Sequence, residues 1–204
     1  MKPLLFICFF TAIFFEKTAY SQDTLQFEYL INKHRVEKAA EFKNPDTSPL
    51  TSKQIKEFSN LEYFSTDKNY KVDAIYTRIK NQKSFKMKTS TERLPEYLKY
   101  GEITFVLNKK TFILSVYQNL ELLNKKGYED YLFIPFTDDT NGEETYGGGR
   151  YIDFKIPENS TIILDFNLCY NPYCAYNHDY SCPIPPKENY LPIKIYAGEK
   201  KFEK

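Results

Sequence analysis

The sequence predicts an α+β domain: predominantly antiparallel β, a curved or barrel-like sheet, with an N-terminal helix packed on it. Two observations carry this. Apolar residues recur at helical spacing as far as about Phe42, and from Leu61 onward they alternate with period two. One helix followed by a run of strands is the α+β pattern, as opposed to the strand–helix alternation of a parallel sheet. With 204 residues, 7 of them glycine, and no internal period, the chain suits a single core and not a repeat solenoid.

Residues 1–21 read as a signal peptide. Lys2 gives a positive start, Leu4 to Phe15 is an almost unbroken apolar run, and Ala19-Tyr20-Ser21 offers small side chains for cleavage before Gln22. Glu16 and Lys17 end the run short of the roughly 20 apolar residues that a membrane span needs. Too few residues precede Cys8 for a charged head and an apolar segment, which argues against an acylated Cys8. The expectation is an exported domain of residues 22–204, periplasmic or extracellular, with no transmembrane segment and no formal net charge.

Asp23-Thr24-Leu25-Gln26 reads as a capping box, opening a helix to about Phe42 with Leu25, Tyr29, Val36 and Ala40 among its buried positions. Asn44-Pro45 stops it, and a second short helix is expected at about Ser52 to Phe58. Strands are expected at Val72-Asp73-Ala74, Ile103 to Leu107, Phe112 to Tyr117, Leu132 to Ile134, Tyr151 to Ile156, Ile162 to Leu168 and Ile193 to Tyr196. Asn108-Lys109-Lys110-Thr111 joins the second and third as a hairpin. Ile152, Phe154 and Ile156 face one side and Tyr151, Asp153 and Lys155 the other, as in a half-buried antiparallel strand.

Composition excludes several functions. A net charge of +1 gives no basic excess to displace counterions from nucleic acid. No glycine-rich phosphate loop stands between a strand and a helix, and no cofactor is implied. A calcium loop ending its turn at Gly142 would need an acid at Thr137 and a glutamate at Gly148. With 2 His and no Gly-x-Ser-x-Gly elbow, serine-hydrolase and zinc-protease chemistries have no support. The oddity is aromatic: 18 Tyr and 17 Phe, with no Trp.

The chemistry is concentrated between Phe136 and Glu199. Gly147-Gly148-Gly149 can turn its N–H groups toward an anion, and Arg150 adds a planar fork; a flexible turn with a surface arginine is the plainer reading. Glu143 and Glu144 before the run fit a solvated role. Along Thr161 to Cys169, Ile162, Leu164, Phe166 and Leu168 point one way, and Ile163, Asp165, Asn167 and Cys169 the other. The short polar side chains of that second face look placed to fix a loop or a ligand. Beyond it, five prolines between residues 172 and 192 make a stiff, irregular segment.

Leu132-Phe133-Ile134-Pro135-Phe136, Glu144 to Tyr151, Leu164-Asp165-Phe166-Asn167, Tyr170 to Tyr176, Cys182-Pro183-Ile184-Pro185-Pro186, Glu188-Asn189 and Ala197 to Lys200 together resemble an uncharacterised bacterial and archaeal family, domain of unknown function 1684. The resemblance covers nearly all of residues 22–204 and implies one domain with no established activity. Its signature polar residues fall on Glu144, Tyr146, Arg150, Asp165, Asn167, Asn171, Tyr176, Glu188 and Asn189, which implies a shared pocket. Cys169 and His178 lie outside the pattern.

The preferred expectation is a binding module in which Tyr146, Gly148, Arg150, Asn167, Asn171, Tyr176 and Asn189 hold a small polar or anionic ligand, such as a sugar or cell-wall fragment. Alternatives are a hydrolase with Glu144, Asp165 or Glu188 as acid and base, and an envelope-associated structural domain. Arg150 and Asp165 are expected to serve the ligand and not the fold. Of Cys169, Cys174 and Cys182, the pair Cys174–Cys182 closes an easy loop and is expected as a disulfide. The competing reading is a metal on Cys174, His178 and Cys182, with Cys169 or Asp179 as a fourth ligand.

Overall fold

The computed structural model describes residues 7–203, with side chains from Gln22 onward. Residues 1–6 of the expected signal peptide lie outside the described residues, as do the side chains of 7–21, Cys8 included. Helix α1 (Ile7–Lys43) ends within a residue of the expected stop, but it starts upstream of Asp23. Asp23 is therefore inside the helix, where it pairs with Lys68 instead of capping. Helix α2 (Ser52–Glu57) carries a complete capping box, Thr51 accepting from the Gln54 backbone and the Gln54 side chain reaching back.

The buried stripe of α1 is not the expected one. Leu25, Tyr29 and Val36 are 62%, 61% and 69% exposed, and the helix instead packs through Phe27, Ile31, Ala39 and Phe42. Both stripes have helical spacing; the buried one carries Phe27, Ile31 and Phe42 and is flanked by two cations. Arg35 donates to the Phe64 carbonyl at 3.0 Å and stacks over the Tyr63 ring, and Lys38 lies 4.8 Å over Tyr170. The buried side of α1 is thus the side whose cations can reach aromatic faces with their stems along apolar surface.

The strands are β1 (Lys71–Arg78), β2 (Phe85–Lys86), β3 (Glu96–Leu107), β4 (Lys110–Asn119), β5 (Tyr131–Asp138), β6 (Arg150–Lys155), β7 (Thr161–Asp165) and β8 (Tyr190–Leu191). They form one curled sheet, a half-barrel, in the order β6-β5-β4-β3-β1-β7, with β2 added beside β3 and β8 beside β5. All pairings are antiparallel except β5 with β8. The β3–β4 turn is tighter than expected: Asn108 and Lys109 both take positive φ, 50° and 61°, as a two-residue turn matched to strand twist requires. A bulge between Lys99 and Gly101 shifts the register of β3 and adds to the curl.

Inside the curl lies the main core, built from alternate positions such as Ala74, Ile103, Phe105, Leu114, Ile134 and Leu164, closed by Ile195 and Ala197. Residues 193–196, expected as a strand, are irregular and enter this core without joining the sheet. The expected strand to Leu168 ends at Asp165, and a 3₁₀ turn (Phe166–Leu168) follows. The turn breaks the alternation, so that Phe166, Asn167 and Cys169 are all buried. On the other face of β3–β6, Tyr97, Tyr117, Phe133 and Tyr151 form a second cluster around Met87.

Candidate functional site

The expected site residues are distributed through the fold, most of them inside it. Arg150 is fully buried at the start of β6. Its guanidinium donates to Asp138 Oδ2 at 2.7 Å, to the Ile195 carbonyl at 2.9 Å and to the Ala197 and Glu199 carbonyls. Asp138, equally buried, also accepts from the Thr140 hydroxyl and amide. Arg150, expected at a ligand, is thus engaged in tying residues 195–199 to the sheet. The turn before it is packed: an added Cβ on Gly148 would meet the Tyr146 ring at 2.5 Å, and Gly149 has φ +88°.

Asn171 and Tyr176 come together on Glu199. The Asn171 backbone N–H and the Tyr176 hydroxyl donate to Glu199 Oε2 at 2.7 and 2.6 Å. The carboxyl is fully buried, and desolvation pushes its pKa up, opposed by those hydrogen bonds. Asp165 accepts from the amide of Asn167 at 2.9 Å, and the Asn167 side chain holds the Asp67 backbone. Glu188 accepts from Tyr117 at 2.7 Å, while Asn189 bridges both backbone groups of Ser115 and the Pro135 carbonyl. Glu144 lies apart from these, paired with Lys194 at 3.2 Å.

A different set of side chains shares an open space. On the outer face of β5 and β6, a groove of about 360 Å³ is lined by seven tyrosines: Tyr97, Tyr128, Tyr131, Tyr151, Tyr170, Tyr173 and Tyr180. Phe133, Asp153, Lys38 and Cys182 are among the other lining residues. The sheet register assembles it. Phe133 of β5 lies opposite Asp153 of β6, and Tyr151 bridges to Tyr170 of the segment after β7. Ring pairs are edge to face, Phe133–Tyr151 at 4.6 Å and Tyr173–Tyr180 at 5.2 Å, so both ring faces and edges border the groove.

Asp153 is the groove's carboxylate. Its Oδ1 accepts from the Tyr131 hydroxyl at 2.7 Å and from the Tyr170 hydroxyl. Burial, and then the charge of Asp153, push the Tyr131 phenol upward, so it remains a proton donor. Lys38 over Tyr170 supplies a cation at one rim. Two roomier hollows, about 420 and 550 Å³, lie beside α2 and α1, but exposed side chains make up most of their walls.

The expected Cys174–Cys182 disulfide is not present: Cys169, Cys174 and Cys182 are all buried free thiols. Cys174 and Cys182 are nevertheless in contact, the Cys174 backbone N–H donating to Cys182 Sγ at 3.2 Å. Among the described residues no three His, Cys, Asp or Glu side chains gather as a metal site, so His178 does not join the pair. No helix among the described residues is long and apolar enough to cross a membrane.

The sequence reading missed Asp138, Asp153, Glu199 and the groove. In the sequence Asp138 stands in the stretch before Gly142 that invites comparison with a calcium loop, and Glu199 in the closing Ala197 to Lys200 motif. The one signal for the groove was the tyrosine count.

The family model described as "Protein of unknown function (DUF1684)" matches residues 56–200. The solution NMR structure of an uncharacterized protein from Haloarcula marismortui is similar at 33% identity and TM-score 0.67, over 88% of this chain and 96% of that one. No curated protein matches the chain.

Proposed function

The chain belongs to the family described as protein of unknown function DUF1684, and we propose that it is a binding module whose ligand, a small polar or anionic molecule, lies in the tyrosine groove. A saccharide suits this chemistry best. Tyrosine faces stack on the apolar faces of a sugar ring, while a fixed carboxylate and phenols exchange hydrogen bonds with its hydroxyls. Lys38 at the rim favours a sugar that carries an acidic group. The observation that carries the reading is Asp153, held by two phenols among ring faces in an open groove of about 360 Å³.

Binding is favoured over hydrolysis by carboxylate placement. Glycoside hydrolysis generally needs two carboxyl groups within about 5–9.5 Å of each other, and Asp153 is the one acid among the groove's lining residues. The former acid–base candidates Glu144, Asp165 and Glu188 each hold other partners. Export belongs to the same reading. The helix residues named above as packed begin at Phe27, so cleavage before Gln22 leaves them in place.

The chain has no Trp, and seven of its 18 tyrosines line the groove, so tyrosine emission is sensitive to its occupation. Neutral and uronic-acid oligosaccharides should change it saturably, and Asp153→Ala should abolish the change with little effect on thermal stability. If no saccharide alters the emission, or if Asp153→Ala binds like the parent, the reading fails. Intact-mass measurement of protein from the envelope fraction should give a chain starting at Gln22; a retained N-terminus would refute export.

A further inference from the structure

We propose that Cys174 and Cys182 are a reversible dithiol–disulfide site that clamps one wall of the tyrosine groove. The groove is the one assigned above to a ligand, but the inference needs no ligand and is tested without one.

The two sulfurs belong to separately anchored pieces of that wall. Cys182 is fixed to the segment after β2: its N–H donates to Ser90 Oγ at 3.0 Å, and its carbonyl accepts from the Ser90 N–H at 2.8 Å. Cys174 sits in the 3₁₀ turn Tyr173–Ala175, whose Tyr173 lines the groove. Between them the chain carries Tyr180, edge to face with Tyr173 at 5.2 Å. A bond between the sulfurs would close a ring with seven intervening residues and fix Tyr173 and Tyr180 relative to the segment after β2 that holds Cys182.

The surroundings favour the chemistry. Cys182 donates to the Cys174 sulfur and lowers the Cys174 pKa, with the Tyr146 hydroxyl, 3.7 Å from that sulfur, acting in the same direction. Cys182, the donor, is correspondingly raised. With the Tyr146 hydroxyl beside its sulfur, Cys174 is assigned as the attacking thiolate, and Cys182, whose sulfur meets the Cys174 N–H at 3.2 Å and which lines the groove, as its partner. With a peroxide as oxidant, the Cys174 thiolate attacks one oxygen, the O–O bond breaks, and hydroxide leaves behind a sulfenic acid. The Cys182 sulfur then displaces the sulfenic hydroxyl, forming S–S and releasing water. Two thiols and one peroxide give one disulfide and two waters. A dithiol such as dithiothreitol reverses the reaction by exchange. Cys169, whose thiol faces the Ala197 carbonyl at 3.4 Å, takes no part.

Full-length protein, reduced and freed of reductant, is treated with hydrogen peroxide and digested without reduction. The expected result is a Cys174–Cys182 linked peptide in the parent and in Cys169→Ser, none in Cys174→Ser or Cys182→Ser, and its loss on adding dithiothreitol. Amide exchange across residues 173–183 should slow at least tenfold in the oxidised parent and recover on reduction. Linkage to Cys169 or Cys8, or sulfinic acids with no link, would overturn the site. Unchanged exchange in the linked form would overturn the clamp.

Discussion

Replacing Arg150 by alanine should unfold the protein at a markedly lower temperature, and the structure sets the size. Arg150 and Asp138 are both fully buried and 2.7 Å apart, so the substitution leaves a carboxylate in a low-dielectric interior without its cation. Breaking such a pair from one side costs about 3–5 kcal/mol. The carbonyls of Ile195 and Ala197 lose their donor as well, which places the loss at the upper end. For a chain of this length each kcal/mol moves the midpoint by about 2–4 °C, so a drop of about 10 °C or more is expected. Differential scanning calorimetry at neutral pH, supported by urea unfolding, gives the number. The double variant Arg150→Met with Asp138→Leu should recover part of it, because the stranded charge is gone, but not all, because the carbonyls stay unpaired. A loss below about 1 kcal/mol in the single variant would refute this assignment and return Arg150 to the role of ligand holder.

Glu199 makes a pH prediction. Its folded pKa is raised above the unfolded value, so the folded state holds the proton more tightly. Its contribution to stability is therefore fully present at acid pH and falls as pH rises from about 4.5 through the folded pKa. Glu199→Gln should flatten that slope in urea midpoints measured across pH, and a parent whose slope matches the variant's would count against it. Phe42 is 1% exposed, with its ring against Phe58, Tyr173 and Tyr176, so Phe42→Ala should cost about 3–5 kcal/mol. Val36→Ser, on the exposed stripe of the same helix, should stay within about 0.5 kcal/mol, and the reverse ranking would mean that α1 packs by the other face.

Local chemistry was legible and long-range assembly was not. The Asn44-Pro45 stop, the second helix near Ser52 and the β3–β4 hairpin are decided within a few residues, and sequence reading finds each of them, while the Thr51–Gln54 box and the two-residue turn emerge from the structure. The face of α1 depends on which distant surface receives Phe27, Ile31 and Phe42, which spacing does not encode. The strand ending at Asp165 looked longer because Phe166 and Leu168 continue its apolar rhythm; the Asp165 cap starts a turn there instead. Polar residues common to a family can be read as a pocket or as a buried scaffold. Arg150, Asn171 and Asn189 make their bonds to backbone groups far away in sequence, which no motif spacing displays. The groove was invisible for the same reason, since its tyrosines come from β3, the connection before β5, β5, β6 and the irregular segment after β7.

The engagement of residues 195–199 by Arg150 also bears on the order of assembly. A nascent chain extending only to residue 194 has every strand of the half-barrel, yet lacks Ile195 and Ala197 from its centre and the carbonyls that receive the guanidinium. Such an intermediate would keep an arginine and an aspartate facing an open, wet interior. Residues 195–199 therefore close the last part of the core across a long sequence separation, a non-local contact of the kind that slows folding.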